Sequence, residues 1–347
     1  MIFMKLIHAD KKGKVFLGSN FEFDLNTIFN KGKLKRKAAI LVAGIKNFAG
    51  TSYSKQLENV FKRHKITIVK HIKIEPNPNE LLIIQVVSKL TKKFDFILAA
   101  GGGSAIDAGK LIKNRFNNSA KLVAIYTLPG SATIVSPFAV FDNDEFKIGI
   151  AADNLIPDYS YINTRFIKSI GIDRKIIAIS DIFSHAIESF YSRASNNISK
   201  AKSKKSLKIL TASKIEQLHL DDFIKADICA GLAERVGLVL FPHAAGHYLT
   251  YKFHIPHSVA TMYFLPQYLN LLLKKGVSIN PKYVKYAEYL HTLLRNKKLM
   301  RKINLSNDEI VELFNLTHKH MSFAYENAPV EIKQDEYKII LKNYVKK

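Results

Sequence analysis

Asp181 and His185, in ISDIFSHAIESF, stand four residues apart, and His243 and His247, in HAAGH, repeat the spacing. On a helix, residues four apart leave from one face, so each pair would present two polar groups side by side from an apolar segment. His257, in IPHS, adds a fifth group. One carboxylate with two or three imidazoles, and a coordination position left open, suits Fe(II), Zn or a similar divalent ion. The same residues also fit a set of core histidines, each bonded to a backbone carbonyl. The stretch FPHAAGHYLTYKFHIPHSVATMYFLP holds four of the chain's twelve histidines; His254 is set apart by the aromatic and basic neighbours of a helix end or loop surface. A second stretch, FDFILAAGGGSAIDAGKLIKNRF, joins an apolar run to a helical pattern through Gly101, Gly102, Gly103 and Ser104. Glycines allow close backbone approach, and the N–H groups at a helix start present positive potential to a phosphate. The turn suits a pyrophosphate. It is neither G-x-G-x-x-G nor a P-loop with its Lys-Ser/Thr ending, and a tight strand-to-helix turn without ligand fits the same residues.

Two kinds of scaffold would position these groups. The first half alternates short apolar runs with helical patterns: AAILVAG (38–44), KQLENVFKRHKI (55–66), TIVKHI (67–72), LLIIQVVSKL (81–90) and FDFILAA (94–100). That rhythm predicts βαβ units and a parallel sheet. KLVAIYTL (121–128) continues it, and PFAVFD (137–142) with KIGIAA (147–152) reads as an antiparallel hairpin. From about Arg165 the pattern turns helical, with apolar residues at three- and four-residue spacing through 176–192, 227–250 and 308–325. The expected fold is an α/β lobe with a parallel sheet over 1–164, then an all-α lobe over 165–347, divided near PDYSYINTRF (157–166). A ligand is expected in the cleft between two such lobes.

Composition narrows the function. With 347 residues, 47% of them hydrophobic and 24% charged, the chain is neither disordered nor fibrous. The N-terminal stretch lacks an apolar signal core, and no run of 18 apolar residues would cross a bilayer, so a cytoplasmic protein without membrane partners is expected. A single cysteine, Cys229, makes no internal disulfide and no zinc ribbon. Any metal must be held by nitrogen and oxygen. The formal charge is +24, but lysines outnumber arginines 44 to 9 and are scattered along the chain among plentiful Ile and Asn. This is compositional bias rather than guanidinium-based base recognition, and no nucleic-acid partner is expected.

With the glycine turn and the histidines in view, the chain resembles, nearly end to end, the iron-containing alcohol dehydrogenase family. The surrounding superfamily also holds glycerol dehydrogenase and dehydroquinate synthase. EPNPN (75–79) resembles the segment before the family's second strand unit, and AAGGGSAIDAGK matches its G-G-G-S-x-x-D-x-x-K signature through Asp107 and Lys110. LIPDYSYIN is similar to the entry into the helical lobe, SDIFSHAIESFYS to D-x-x-x-H-A-I-E, and HAAGHYLTYKFHIPHSVA to the H-x-x-x-H and P-H run. The resemblance implies a dehydroquinate synthase-like fold, a dinucleotide-binding first lobe, and a metal- and substrate-binding second lobe. It implies one divalent ion, Fe(II) or Zn(II), with ligands Asp181, His185, His243 and His257, and His247 near the substrate as a proton relay. NAD or NADP would lie on Gly101 to Ser104, with Asp107 and Lys110 of the signature. A small alcohol or aldehyde would be the substrate, and a homodimer is expected.

Three departures qualify the match. The family's T-G-S-E segment is replaced by YTLPGSATIVSPFAV, where Thr127, Gly130, Ser131 and Thr133 stand in without a glutamate. Many NAD-using relatives have an acid after the first strand. This chain has LVAGIKNFAG there, with Gly44 and Lys46, and losing the acid while gaining a cation accommodates a 2′-phosphate. PHS replaces the commoner P-H-G, and the helical lobe is short before SFAYENAPVEIKQDEY, which points to an unusual substrate pocket. The readings weighed against alcohol dehydrogenase chemistry are a sugar-phosphate cyclase or lyase of the dehydroquinate synthase type and a noncatalytic, basic relative.

Overall fold

The apolar runs of the first half pair into one sheet. The computed structural model describes residues 4–44, 48, 50–143, 145–333, 335–337 and 339–340, and the chain divides into two compact units, Met1–Ile170 and Gly171–Lys347. In the first unit the strands are β1 (Lys5–Ala9), β2 (Lys14–Gly18), β3 (Ala38–Gly44), β4 (Thr67–Ile74), β5 (Phe96–Gly101), β6 (Lys121–Tyr126), β7 (Phe138–Asp142), β8 (Lys147–Ala151) and β9 (Tyr159–Asn163). Seven of them form a sheet ordered β1-β2-β9-β6-β5-β3-β4. Its neighbours are parallel except for the antiparallel β1–β2 pair. β7 and β8 form the expected antiparallel hairpin.

The helices of this unit are α1 (Phe21–Gly32), α2 (Ser52–His64), α3 (Glu80–Ser88), α4 (Gly103–Phe116) and α5 (Thr164–Lys168). Every position of β5 is buried, as expected for a parallel strand covered on both faces. The apolar face of α1 brings Phe21, Leu25, Ile28 and Phe29 into a core with Phe96, Val123 and Tyr161. Strand order places the site. From β3 the chain goes out to β4 at the sheet edge and returns with β5 on the other side of β3. The carboxyl ends of β3 and β5 therefore flank a topological switch point, where open parallel sheets bind their ligands.

The second unit contains α6 (Ile172–Tyr191), α7 (Asn197–Leu210), α8 (Leu220–Gly237), α9 (Phe241–Phe253), α10 (His257–Met262), α11 (Leu265–Lys274), α12 (Pro281–Asn296), α13 (Asn307–Met321) and α14 (Phe323–Glu326), and no strand among the described residues. α6 is buried along most of its length and packs against α7, α8, α10 and α12. The pattern read as continuous through 227–250 is two helices. Leu238 at the end of α8 adopts φ 59 and ψ −170, and Pro242 occupies the first turn of α9, where its missing N–H costs nothing. Gly237 lies so close to α6 that a Cβ would stand 2.8 Å from the Ser189 carbonyl oxygen. No helix among the described residues is long and apolar enough to cross a membrane.

Candidate active site

The glycine turn sits at the switch point. Gly101 ends β5, Gly102 caps α4 and Gly103 opens it. A Cβ on Gly101 would meet the Ala105 Cβ at 2.8 Å and the Gly44 Cα at 3.4 Å, and one on Gly103 would meet the Ser131 Oγ at 2.8 Å. The glycines thus let β3, β5 and α4 close together with backbone uppermost, leaving the first N–H groups of α4 pointing out of the helix end. Thr127 follows β6. Its N–H donates to the Gly101 carbonyl at 2.9 Å, while its buried Oγ1 has no hydrogen-bond partner among the described residues. Ser131 lies beside Gly103, with its Oγ 3.4 Å from the Tyr126 hydroxyl.

The two signature residues further along α4 bond to the protein itself. Asp107 accepts the Thr133 hydroxyl at 2.6 Å and the Val140 N–H at 3.4 Å, and burial raises the pKa of this carboxyl. The fully buried Lys110 Nζ donates to the Ser136 carbonyl at 2.8 Å and the Phe138 carbonyl at 2.6 Å. Together they fasten the 133–140 segment to α4. Of the remaining residues expected to meet the cofactor, Gly44 ends β3 beside Gly101 and Ser104 lies in the first turn of α4. Lys46 lies outside the described residues.

The second constellation is built by three helices. α6 carries Asp181 and His185, α9 carries His243 and His247, and α10 begins at His257. One donor atom each from Asp181, His243 and His257 lies within 4.8 Å of the others. Asp181 is 6% exposed and His243 is 2% exposed. His243 Nδ1 is 2.6 Å from Glu188 Oε1, while Glu188 Oε2 accepts the Leu240 N–H at 2.7 Å. The His243 Nε2 and the Asp181 Oδ1 are both buried without a hydrogen-bond partner among the described residues. Burial pulls the His243 pKa down to about 3, so the ring is neutral. The Asp181 pKa is pushed up to about 8, first by burial and then by the Asp227 and Glu188 charges, against a hydrogen bond from Ser258. A neutral imidazole and a carboxyl set among other carboxyls, with three donor atoms converging, fit a divalent cation.

His185 lies beside this trio. Its ring stacks on His243 with centroids 4.6 Å apart, and its Nε2 is 3.9 Å from Glu234 Oε1. The buried His247 meets the His257 ring edge-on at 4.7 Å. His254 caps α9 in the left-handed conformation and is exposed, as its neighbours suggested. Gly246 lets α9 approach α10, since a Cβ there would stand 2.8 Å from the Thr261 Oγ1 and 2.9 Å from its backbone nitrogen. Two participants escaped the reading of the residues. Glu188 lies seven residues after Asp181 on α6, a helical repeat that puts both on one face. Ser258 is the serine that replaces glycine in PHS.

An α/β unit with a glycine turn at its switch point, followed by a helical unit gathering a carboxylate and imidazoles, is the make-up of a metal- and dinucleotide-dependent oxidoreductase. Residues 14–164 match the family model for iron-containing alcohol dehydrogenase, and residues 176–343 match the C-terminal model of the Fe-containing alcohol dehydrogenase family. The chain belongs to the iron-containing alcohol dehydrogenase family. It is 25% identical to an NADPH-dependent butanol dehydrogenase of Clostridium saccharobutylicum, over 88% of this chain and 83% of that protein. It is 27% identical to alcohol dehydrogenase 4 of Saccharomyces cerevisiae, over 68% of each. The fold is similar to the crystal structure of an iron-containing alcohol dehydrogenase from Thermotoga maritima, with a TM-score of 0.80 and 21% identity, over 97% of this chain and 99% of that one. Family membership favours NAD(P)- and metal-dependent alcohol dehydrogenase chemistry over sugar-phosphate cyclisation.

Proposed function

We propose that the chain interconverts a small alcohol and its aldehyde with NADP(H), using one divalent ion, Fe(II) or Zn(II), held by Asp181, His243 and His257, with His185 as the fourth ligand. The observation that carries this reading is the convergence of Asp181, His243 and His257 within 4.8 Å, with the Asp181 Oδ1 and His243 Nε2 buried and without a hydrogen-bond partner among the described residues. When bound, the ion supplies a Lewis acid to the carbonyl oxygen and the nicotinamide supplies the hydride. The Gly101 to Ser104 turn holds the pyrophosphate with N–H groups of α4, beside the Thr127 and Ser131 hydroxyls. The His247 imidazole gives a proton to the nascent alkoxide or takes one from the alcohol hydroxyl. Gly44 offers no carboxylate to the ribose hydroxyls, and Lys46, nearby in sequence, brings a cation suited to a 2′-phosphate, which supports NADP over NAD. The net charge of +24 supports an acidic aldehyde, drawn by the field of the whole protein. A homodimer in the cytoplasm belongs to the same proposal.

The test is metal-loaded protein mixed with NADPH or NADH and a broad aldehyde panel. Loss of the nicotinamide absorbance is expected, faster with NADPH, and its absence across the panel refutes the reading. His257→Ala is expected to lose stoichiometric metal by elemental analysis while nicotinamide binding is kept, because the cofactor residues belong to the other unit.

A further inference from the structure

Glu188 has no direct part in the proposed chemistry, yet it is 2% exposed and makes a hydrogen bond with each of its oxygens. We infer that Glu188 is the positioning residue that makes His243 a metal ligand, an inference that rests on the proposed metal site. The argument begins with the imidazole. A neutral ring has one N–H and one lone pair, and the partner of one nitrogen decides the role of the other. Glu188 Oε1 lies 2.6 Å from Nδ1. As a carboxylate it accepts there, which puts the ring proton on Nδ1 and leaves the buried Nε2, without a hydrogen-bond partner among the described residues, as the ligand atom. In the opposite tautomer Nε2–H would point at the donor atoms and no cation could bind there. Carboxylates behind metal-binding histidines act in this way.

The same side chain fixes where the ring stands. Glu188 Oε2 accepts the Leu240 N–H at 2.7 Å, and the adjacent Ser189 Oγ donates to the Leu238 carbonyl at 2.8 Å. Leu238 is held at φ 59, a region that L side chains rarely adopt. Two consecutive residues of α6 thus hold the link between α8 and α9, and with it the start of the helix that carries His243.

Glu188→Gln removes this double acceptance with almost no change of shape. The amide NH2 faces either the Leu240 N–H, donor against donor, or His243 Nδ1, which then becomes the acceptor and moves the ring proton to Nε2. Competition of Zn(II) between the full-length protein and a chromophoric chelator is expected to show about 10- to 100-fold weaker binding, with NADPH affinity changed less than about twofold. Nitrogen-15 NMR of the metal-free proteins is expected to show the Nδ1–H tautomer of His243 in wild type and Nε2–H in the variant. Zn(II) affinity within twofold of wild type in the variant overturns the inference, and so does Nε2–H in wild type, a measurement that needs no variant to fold. Wild type that takes up no Zn(II) refutes the metal reading itself, and the ligand role with it.

Discussion

A single methyl group added at Gly246 tests whether the approach of α9 to α10 sets the spacing of the ligand atoms. In Gly246→Ala the Cβ would stand 2.9 Å from the Thr261 backbone nitrogen and 3.1 Å from its Cα. Because carbon contacts are comfortable only from about 3.5 Å, the helices must part by roughly 0.5 Å, and backbone atoms cannot rotate aside. Overpacking of this kind costs about 1–3 kcal/mol, and the better helix propensity of alanine returns about 1 kcal/mol. The fold therefore survives with a net loss of about 0–2 kcal/mol. Metal ligation is less forgiving, since donor distances hold to within about 0.2 Å, and His243 and His257 ride on the two helices being separated. A Zn(II) affinity lower by about 100-fold is expected, which removes about 2.7 kcal/mol of metal-linked stabilisation at saturating metal. For a unit of this size that is a fall of roughly 5–10 °C in the Tm rise caused by Zn(II). The assay is thermal unfolding with and without Zn(II), beside chelator competition. Wild-type metal affinity with an undiminished Tm rise would refute the reasoning, because the ligand geometry would then not depend on the close helix contact.

Two further outcomes are expected. Thr127→Val removes a buried hydroxyl that has no partner among the described residues, so unfolding free energy should stay within about 1 kcal/mol of wild type. NADPH binding by calorimetry should weaken about 2- to 10-fold, the worth of one hydrogen bond, and unchanged affinity would remove Thr127 from the cofactor site. His291 has its pKa pulled from 6.5 to about 4 by burial and by the Arg295 charge. Its contribution to stability is therefore present above pH 6.5 and lost as pH falls from 6.5 to about 4, where the unfolded chain binds the extra proton. Discounted for its partial exposure, the loss is about 1–2 kcal/mol. Urea denaturation of metal-free His291→Gln should show a correspondingly flatter acid limb, and an identical limb would assign the acid sensitivity elsewhere.

The buried strands were legible because their chemistry is local. AAILVAG is β3 to the residue, since a parallel strand covered on both faces must be apolar throughout. β9 was not, and its sequence YSYIN shows why. Its polar groups reach distant partners, with the Tyr161 hydroxyl on Asp24 and the Ser160 hydroxyl on the Ile134 carbonyl. No local pattern announces such pairings. The helical pattern through 227–250 hid the break at Leu238 because a strained backbone angle leaves no mark on apolar spacing. At the site, four-residue spacing put Asp181 with His185 and His243 with His247 on common faces, and the structure bears out those faces. Spacing says nothing of which face meets which, so the trio formed by Asp181, His243 and His257 and the stacking of His185 on His243 are products of tertiary packing. Glu188 stood in the quoted motif, but its partner lies 55 residues away on another helix.

The three converging donors come from stretches far apart in the chain, and this bears on how the second unit is kept closed. An ion shared by Asp181 and His257 would tie off a loop of roughly 75 residues, a length at which a covalent staple is worth about 4 kcal/mol in chain entropy. With Cys229 as its sole thiol, the chain can make no such staple from sulfur. A cation held there would do the same work reversibly, and chelation would then be expected to loosen α6, α9 and α10 together, read as faster proteolysis of the metal-free protein.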